Sequence, residues 1–163
     1  MSGPRVVVAR QSVLMVWHTT IAATCILGAT ASVAGDELTV MGAHLATYHD
    51  SGPYENFNPG LYVAHRNWTA GFYHNSTRRT SIYGGYTWSW HTNFVPGVDS
   101  YALTAAVANG YPNTIRNTDL SVLLIPSVGV PLAPSLRLRV TFLPFVPKYN
   151  PATSLHFSVE RAF

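Results

Sequence analysis

Charge is what this sequence has least of. Only 10% of its 163 residues are Asp, Glu, Lys or Arg, against about 25% in an ordinary soluble domain, so it is short of groups that hold a water-facing surface. The formal net charge of +3 falls to +1 once Arg5 and Arg10 are set aside with the leading segment. No basic stripe appears, which argues against a nucleic-acid partner. Cysteine is all but missing: Cys25 stands alone in that same segment, so the rest of the chain has no disulfide and no thiolate chemistry. After residue 35 no apolar run approaches the ~20 residues of a membrane helix, and no stretch keeps a helical period. What is plentiful is apolar residues, 47%, and aromatics, 12%.

Residues 1–34 read as a secretory signal peptide. Arg5 and Arg10 form a positive start, an apolar stretch runs from Val13 to Leu27, and Ser32, Val33 and Ala34 offer small residues for cleavage. Ala29, Thr30 and Ala31 are an alternative site, and a buried first helix is the competing reading. Cys25 fits a lipoprotein site poorly, with Ala22 and Thr24 before it.

From Gly35 the pattern predicts eight strands, at residues 38–47, 60–66, 68–74, 80–91, 101–108, 120–128, 136–143 and 153–163. In the last, Leu155, Phe157, Val159 and Phe163 share one face while Ser154, His156, Ser158, Glu160 and Ala162 share the other. The seventh matches it, with Leu136, Leu138, Val140 and Phe142 against Arg137, Arg139 and Thr141. Alternation alone fits both a soluble sandwich and a membrane barrel, which turns the same faces the other way round. The leading peptide, the low charge and a chain ending on Phe163 in register with the apolar face favour the barrel. The expectation is all-β: an eight-stranded antiparallel up-and-down outer-membrane β-barrel over residues 35–163, with aromatic girdles at Tyr62, Trp68, Trp88, Trp90, Tyr101 and Tyr111.

Residues 68–90 organise the chain: two aromatic, glycine-spotted arms flank a polar tip, Asn75 to Arg79. With both termini on the periplasmic side, parity puts this tip outside, together with His44 late in the first strand. A base, a hydroxyl and a carboxamide can then meet at one mouth, and Ser–His pairing is the usual way to activate a hydroxyl. The bland alternative is that Asn75 and Ser76 are turn residues and that His44 is no more special than His49, His65, His74, His91 or His156. Arg78 and Arg79 suit a lipid phosphate or a solvated rim.

The order of these parts resembles the outer-membrane lipid A palmitoyltransferase (PagP) family from about residue 38 to 163. Shared features are His44 followed by a polar loop over residues 48–59, a strand ending in Asn75-Ser76, the run Tyr83-Gly-Gly-Tyr-Thr-Trp88, and the prolines Pro126 and Pro144. The resemblance implies acyl transfer from a phospholipid to lipid A without a cofactor or metal, by a monomer in the outer membrane. It implies His44 as general base and Ser76 as the second catalytic side chain. Asn75 stands where the family has aspartate, and the family's N-terminal helix has no counterpart. Pro126 and Pro144 would weaken seams through which lipid tails pass. Thr87, where relatives have glycine on the floor of an acyl pocket, would shorten the preferred tail.

Two functions remain open at this point: a lipid acyltransferase or lipase-like enzyme, and a non-enzymatic barrel for structure, lipid binding or surface interaction.

Overall fold

Strand-forming residues at alternate positions give eight strands: β1 (Thr39–His49), β2 (Phe57–His65), β3 (Trp68–His74), β4 (Thr80–His91), β5 (Ser100–Ala108), β6 (Ser121–Ala133), β7 (Leu136–Leu143) and β8 (Ser154–Ala162). The structure is a computed structural model and describes residues 39–111, 119–146 and 150–163. The expected signal peptide and the middle of the β5–β6 loop lie outside the described residues. Each strand pairs antiparallel with its sequence neighbours, and β8 returns to β1, which closes the barrel. The expected fold class is therefore the observed one.

Several boundaries differ from expectation. β1 runs on to His49, and β2 begins at Phe57 inside a stretch expected to be loop. β6 continues through Gly129 and Pro131 to Ala133, where a turn was expected. Beyond Gly129 it is paired on the β7 side only, the setting in which a strand tolerates proline.

The alternation has a direction. Ser154, Ser158 and Glu160 of β8 are buried, while Leu155 is exposed. Among the described residues the buried apolar side chains are alanines, Ala102, Ala106, Ala108 and Ala152, whereas Met41, Leu61, Phe72, Ile82, Val122 and Leu124 lie exposed on the wall. A soluble domain does the opposite. The arrangement is compatible with a wall that faces lipid.

The interior is filled by side chains. The Tyr62 ring lies over Gly42 in the space a Cβ would take, Gly71 makes room for the Tyr62 Cβ and the Tyr83 ring, and Gly60 lets the Phe72 carbonyl and the root of Tyr73 approach closely. Tyr62 was expected in a girdle; it points inward instead and donates its hydroxyl to Glu160 at 2.9 Å. Glu160 also accepts from Arg139 and Arg137, and Arg137 grips Asp99 through Nε and Nη2. Across the wall Thr69, Thr87 and Thr104 join hydroxyls at 2.8–2.9 Å. An outer aromatic cluster does form at the end where β1 begins and β8 finishes: Trp68 meets Tyr86 edge to face, and Tyr86 packs at a tilt against Trp88.

Candidate active site

The mouth opposite the termini is shaped first by a fault in β1. Going up from Gly42, even-numbered residues point inward, and His44 pairs with Gly60 on one side and Ser158 on the other. The register then shifts between His44 and Ala46, leaving Leu45 as an extra residue against β8. Above this bulge the phase is reversed: Thr47 is buried, Tyr48 is exposed, and His49 faces the mouth. Bulges often re-aim a side chain in this way.

The hairpin tip arrives from β3. Asn75 is fully buried. Its Oδ1 accepts from Thr77 N, Thr77 Oγ1 and Arg79 N, and its Nδ2 donates to Ser81 Oγ and the Gly110 carbonyl. The carboxamide is thus saturated by its own turn and the β5–β6 loop. Arg78 completes the turn in the left-handed region at φ 64°. Ser76, one residue on from Asn75, is held by its carbonyl, which accepts the Glu55 N–H at 3.0 Å.

These two strands and the β1–β2 loop bring three side chains into a line. Ser76 Oγ lies 3.1 Å from His49 Nε2, and His49 Nδ1 lies 3.0 Å from Asn56 Oδ1. The ring of Tyr54 stacks on His49 with centroids 4.8 Å apart, and Tyr54 itself sits over Gly52, whose φ of +91° and missing Cβ make room for it. The carboxylate next door, Asp50, is used elsewhere: its Oδ1 accepts from Thr153 N and Ser51 Oγ.

His44 belongs to a second cluster, deeper inside. Its Nε2 meets Tyr83 Oη at 3.0 Å and its Nδ1 meets His156 Nε2 at 2.8 Å, while His156 Nδ1 meets Thr47 Oγ1 at 2.8 Å. The rings of Tyr62 and Tyr73 pack against it. One proton on each imidazole satisfies this chain with all four groups neutral. Tyr73 Oη is bonded to Tyr111 Oη. Burial first, then the neighbouring Tyr73 hydroxyl, pushes the Tyr111 phenol well above its ordinary range, so it stays neutral. Tyr111, expected in a girdle, is an interior plug.

His44 and Ser76 are therefore not partners; the imidazole on Ser76 is that of His49. Arg78 and Arg79 are exposed beside the tip, 3.9 Å from Glu55 and Asp119 respectively. Thr87 points inward but is engaged with its threonine neighbours. Pro126 pairs toward β5 and stands where the β6–β7 ladder stops, its topmost pair being Ser127 with Thr141. Pro144 follows the last residue of β7. No group of three His, Cys, Asp or Glu side chains able to hold a metal is found among the described residues. No protein-family model matches the chain, and no curated protein matches it.

Sequence reasoning missed His49 and Asn56. Strict alternation from His44 places residue 49 on the outer wall, and Asn56 sits in a stretch that reads as generic polar loop. The available signal was local: Gly52, Tyr54 and Asn56 closely follow His49, a glycine, a stacking ring and an amide acceptor within a few residues of an imidazole.

Proposed function

We propose that the mature chain is an outer-membrane β-barrel whose working part is its polar mouth, where it acts on acyl esters of membrane lipids. The single observation that carries this reading is a serine hydroxyl hydrogen-bonded to an imidazole at the mouth of a barrel with an apolar wall. The interior, packed with tyrosines over glycines and neutralised by ion pairs, argues against conduction. Transfer of an acyl chain from a phospholipid to lipid A is the form of the reaction that the sequence resemblance favours. The lipid A mass profile of cells with and without the chain tests it, with an added acyl chain as the expected difference. Heat-modifiable migration on gels and recovery in outer-membrane fractions test the setting; recovery as a water-soluble periplasmic monomer would sink it.

A second reading, a non-enzymatic barrel with a structural, lipid-binding or surface role, is favoured by Asn75. Its five hydrogen bonds are those of a turn-building residue, and it leaves no acid where the resembling family has one. An unchanged lipid profile together with a correctly inserted barrel would select this reading.

A further inference from the structure

Resting on the lipid-ester reading, the geometry points to a serine acyl-transfer centre made of Ser76, His49 and Asn56, with a carboxylic ester of a membrane lipid as its substrate. Asn56 Oδ1 can only accept a hydrogen bond, so the His49 proton resides on Nδ1. That leaves the Nε2 lone pair facing the Ser76 hydroxyl at 3.1 Å. Nucleophile, base and orienting group are then in the relation that nucleophilic catalysis requires. Asn56 acts on the substrate only through His49 and is a positioning residue.

Three further contacts hold the line in place without contributing to it chemically. The Tyr54 ring fixes the imidazole plane, Gly52 makes room for Tyr54, and the Glu55 N–H anchors the Ser76 carbonyl. The bulge supplies the fourth condition, since only the reversed phase turns His49 to the mouth. Four separate features of β1, the loop and the hairpin converge on one hydroxyl, whereas Ser51, two residues beyond His49, is spent on Asp50.

The substrate class follows from the flanks. Tyr48 and Phe57, the chain neighbours of His49 and Asn56, point out of the wall with 62% and 67% of their surface exposed. An ester carbonyl at the mouth would therefore sit above a tail lying against the outside of β1 and β2. The interior beneath is occupied by Tyr73, His44 and Tyr62, so the tail is not drawn inside and Thr87 does not measure it.

The step balances with the groups present. Ser76 Oγ bonds to the ester carbonyl carbon as its proton passes to His49 Nε2. The carbon–oxygen bond to the lipid alcohol then breaks, and the alcohol leaves with that proton, giving an acyl ester on Ser76. A hydroxyl from water or from an acceptor lipid attacks the acyl carbon, its proton passing through His49 back to Ser76 Oγ.

The test is labelling of the folded full chain in detergent micelles with a fluorophosphonate probe, each variant first checked for heat-modifiable migration. Turnover of phosphatidylethanolamine in mixed micelles is measured in parallel. The expected result is a single adduct on the peptide carrying Ser76. Labelling is absent in Ser76→Ala, falls at least ~100-fold in His49→Gln, falls by a smaller factor in Asn56→Leu and recovers in Asn56→Asp. A folded barrel that takes no label overturns the centre and leaves the membrane reading standing. So does loss of label in His44→Gln with retention in His49→Gln. Labelling of Ser76 without turnover of the lipid would keep the activated serine and overturn the substrate class.

Discussion

Tyr62 of β2 lies over Gly42 of β1 so closely that a Cβ at Gly42 would fall 2.0 Å from the phenol ring. The same ring's hydroxyl is a ligand of Glu160, so this one contact ties the upper tyrosine layer to the lower ion pairs. Gly42→Ala is expected to push the ring off both, at a cost of about 1–3 kcal/mol typical of overpacking. Gly84→Ala is the control, since its Cβ would meet nothing nearer than a carbonyl at 3.9 Å. Urea midpoints of the heat-modifiable form should separate the two.

Glu160 balances two guanidiniums. Arg137 has Asp99 as a second partner, whereas among the described residues Arg139 has, besides Glu160, a long bond to Ser127 at 3.4 Å. Glu160→Leu should therefore strand the Arg139 charge and cost about 3–5 kcal/mol. Arg139→Met combined with Glu160→Leu should cost less than the sum of the single changes, as a double-mutant cycle on refolding yield and urea midpoint would show.

Asn75→Asp is expected to loosen the hairpin tip. A carboxylate cannot donate to the Gly110 carbonyl or Ser81 Oγ, the two acceptors now served by Nδ2. Leaving those groups opposed by oxygen should cost about 1–3 kcal/mol and expose the β5–β6 loop to protease. If the chain turns over lipid esters as proposed, that turnover should fall or stay level. A rise would show that an acid at this position takes part in the chemistry.

Asp99 gives the termini-bearing end a pH dependence. Burial raises its pKa, but the hydrogen bonds and charge of Arg137, with help from Ser100 and His91, outweigh that and hold it below the ordinary value. A depressed carboxyl stabilises the fold fully above its unfolded-state pKa, and that contribution disappears as pH falls through the folded-state value. The stability difference between the native chain and Asp99→Asn should thus be present at neutral pH and shrink as the medium is acidified through and below the ordinary carboxyl range. Thermal migration shifts across that range would measure it.

What could be read from the residues was whatever repeats. Arg137, Arg139 and Thr141 against Leu138, Val140 and Phe142 announce a two-faced strand, and the buried Glu160 and exposed Leu155 obey the same rule. The hairpin tip at Asn75 and Ser76 was equally legible, because turn chemistry is local. Tyr62 was not, since a tyrosine suits an interface and an interior alike, and only the empty space above Gly42 decides between them. His49 was hidden for a stronger reason: one unpaired residue, Leu45, breaks the period on which the reading depends, and nothing in the side chains around it marks the break.

That unpaired residue also gives the mouth a spare. Because Leu45 stands outside the β1–β8 ladder, Ala46 to His49 already pair with Phe157 to Ser154 as though it were absent. Deleting Leu45 would therefore change neither the net charge nor the number of strands, and it would leave the imidazole facing the mouth and the Tyr48 ring facing out. What would turn the segment by half a period is drawing Leu45 into the ladder at the present length: each residue from Ala46 onward would then move one place along β8, and His49 would swing to the outer wall. Two chains that differ in length by this one codon can thus bring the same side chains together.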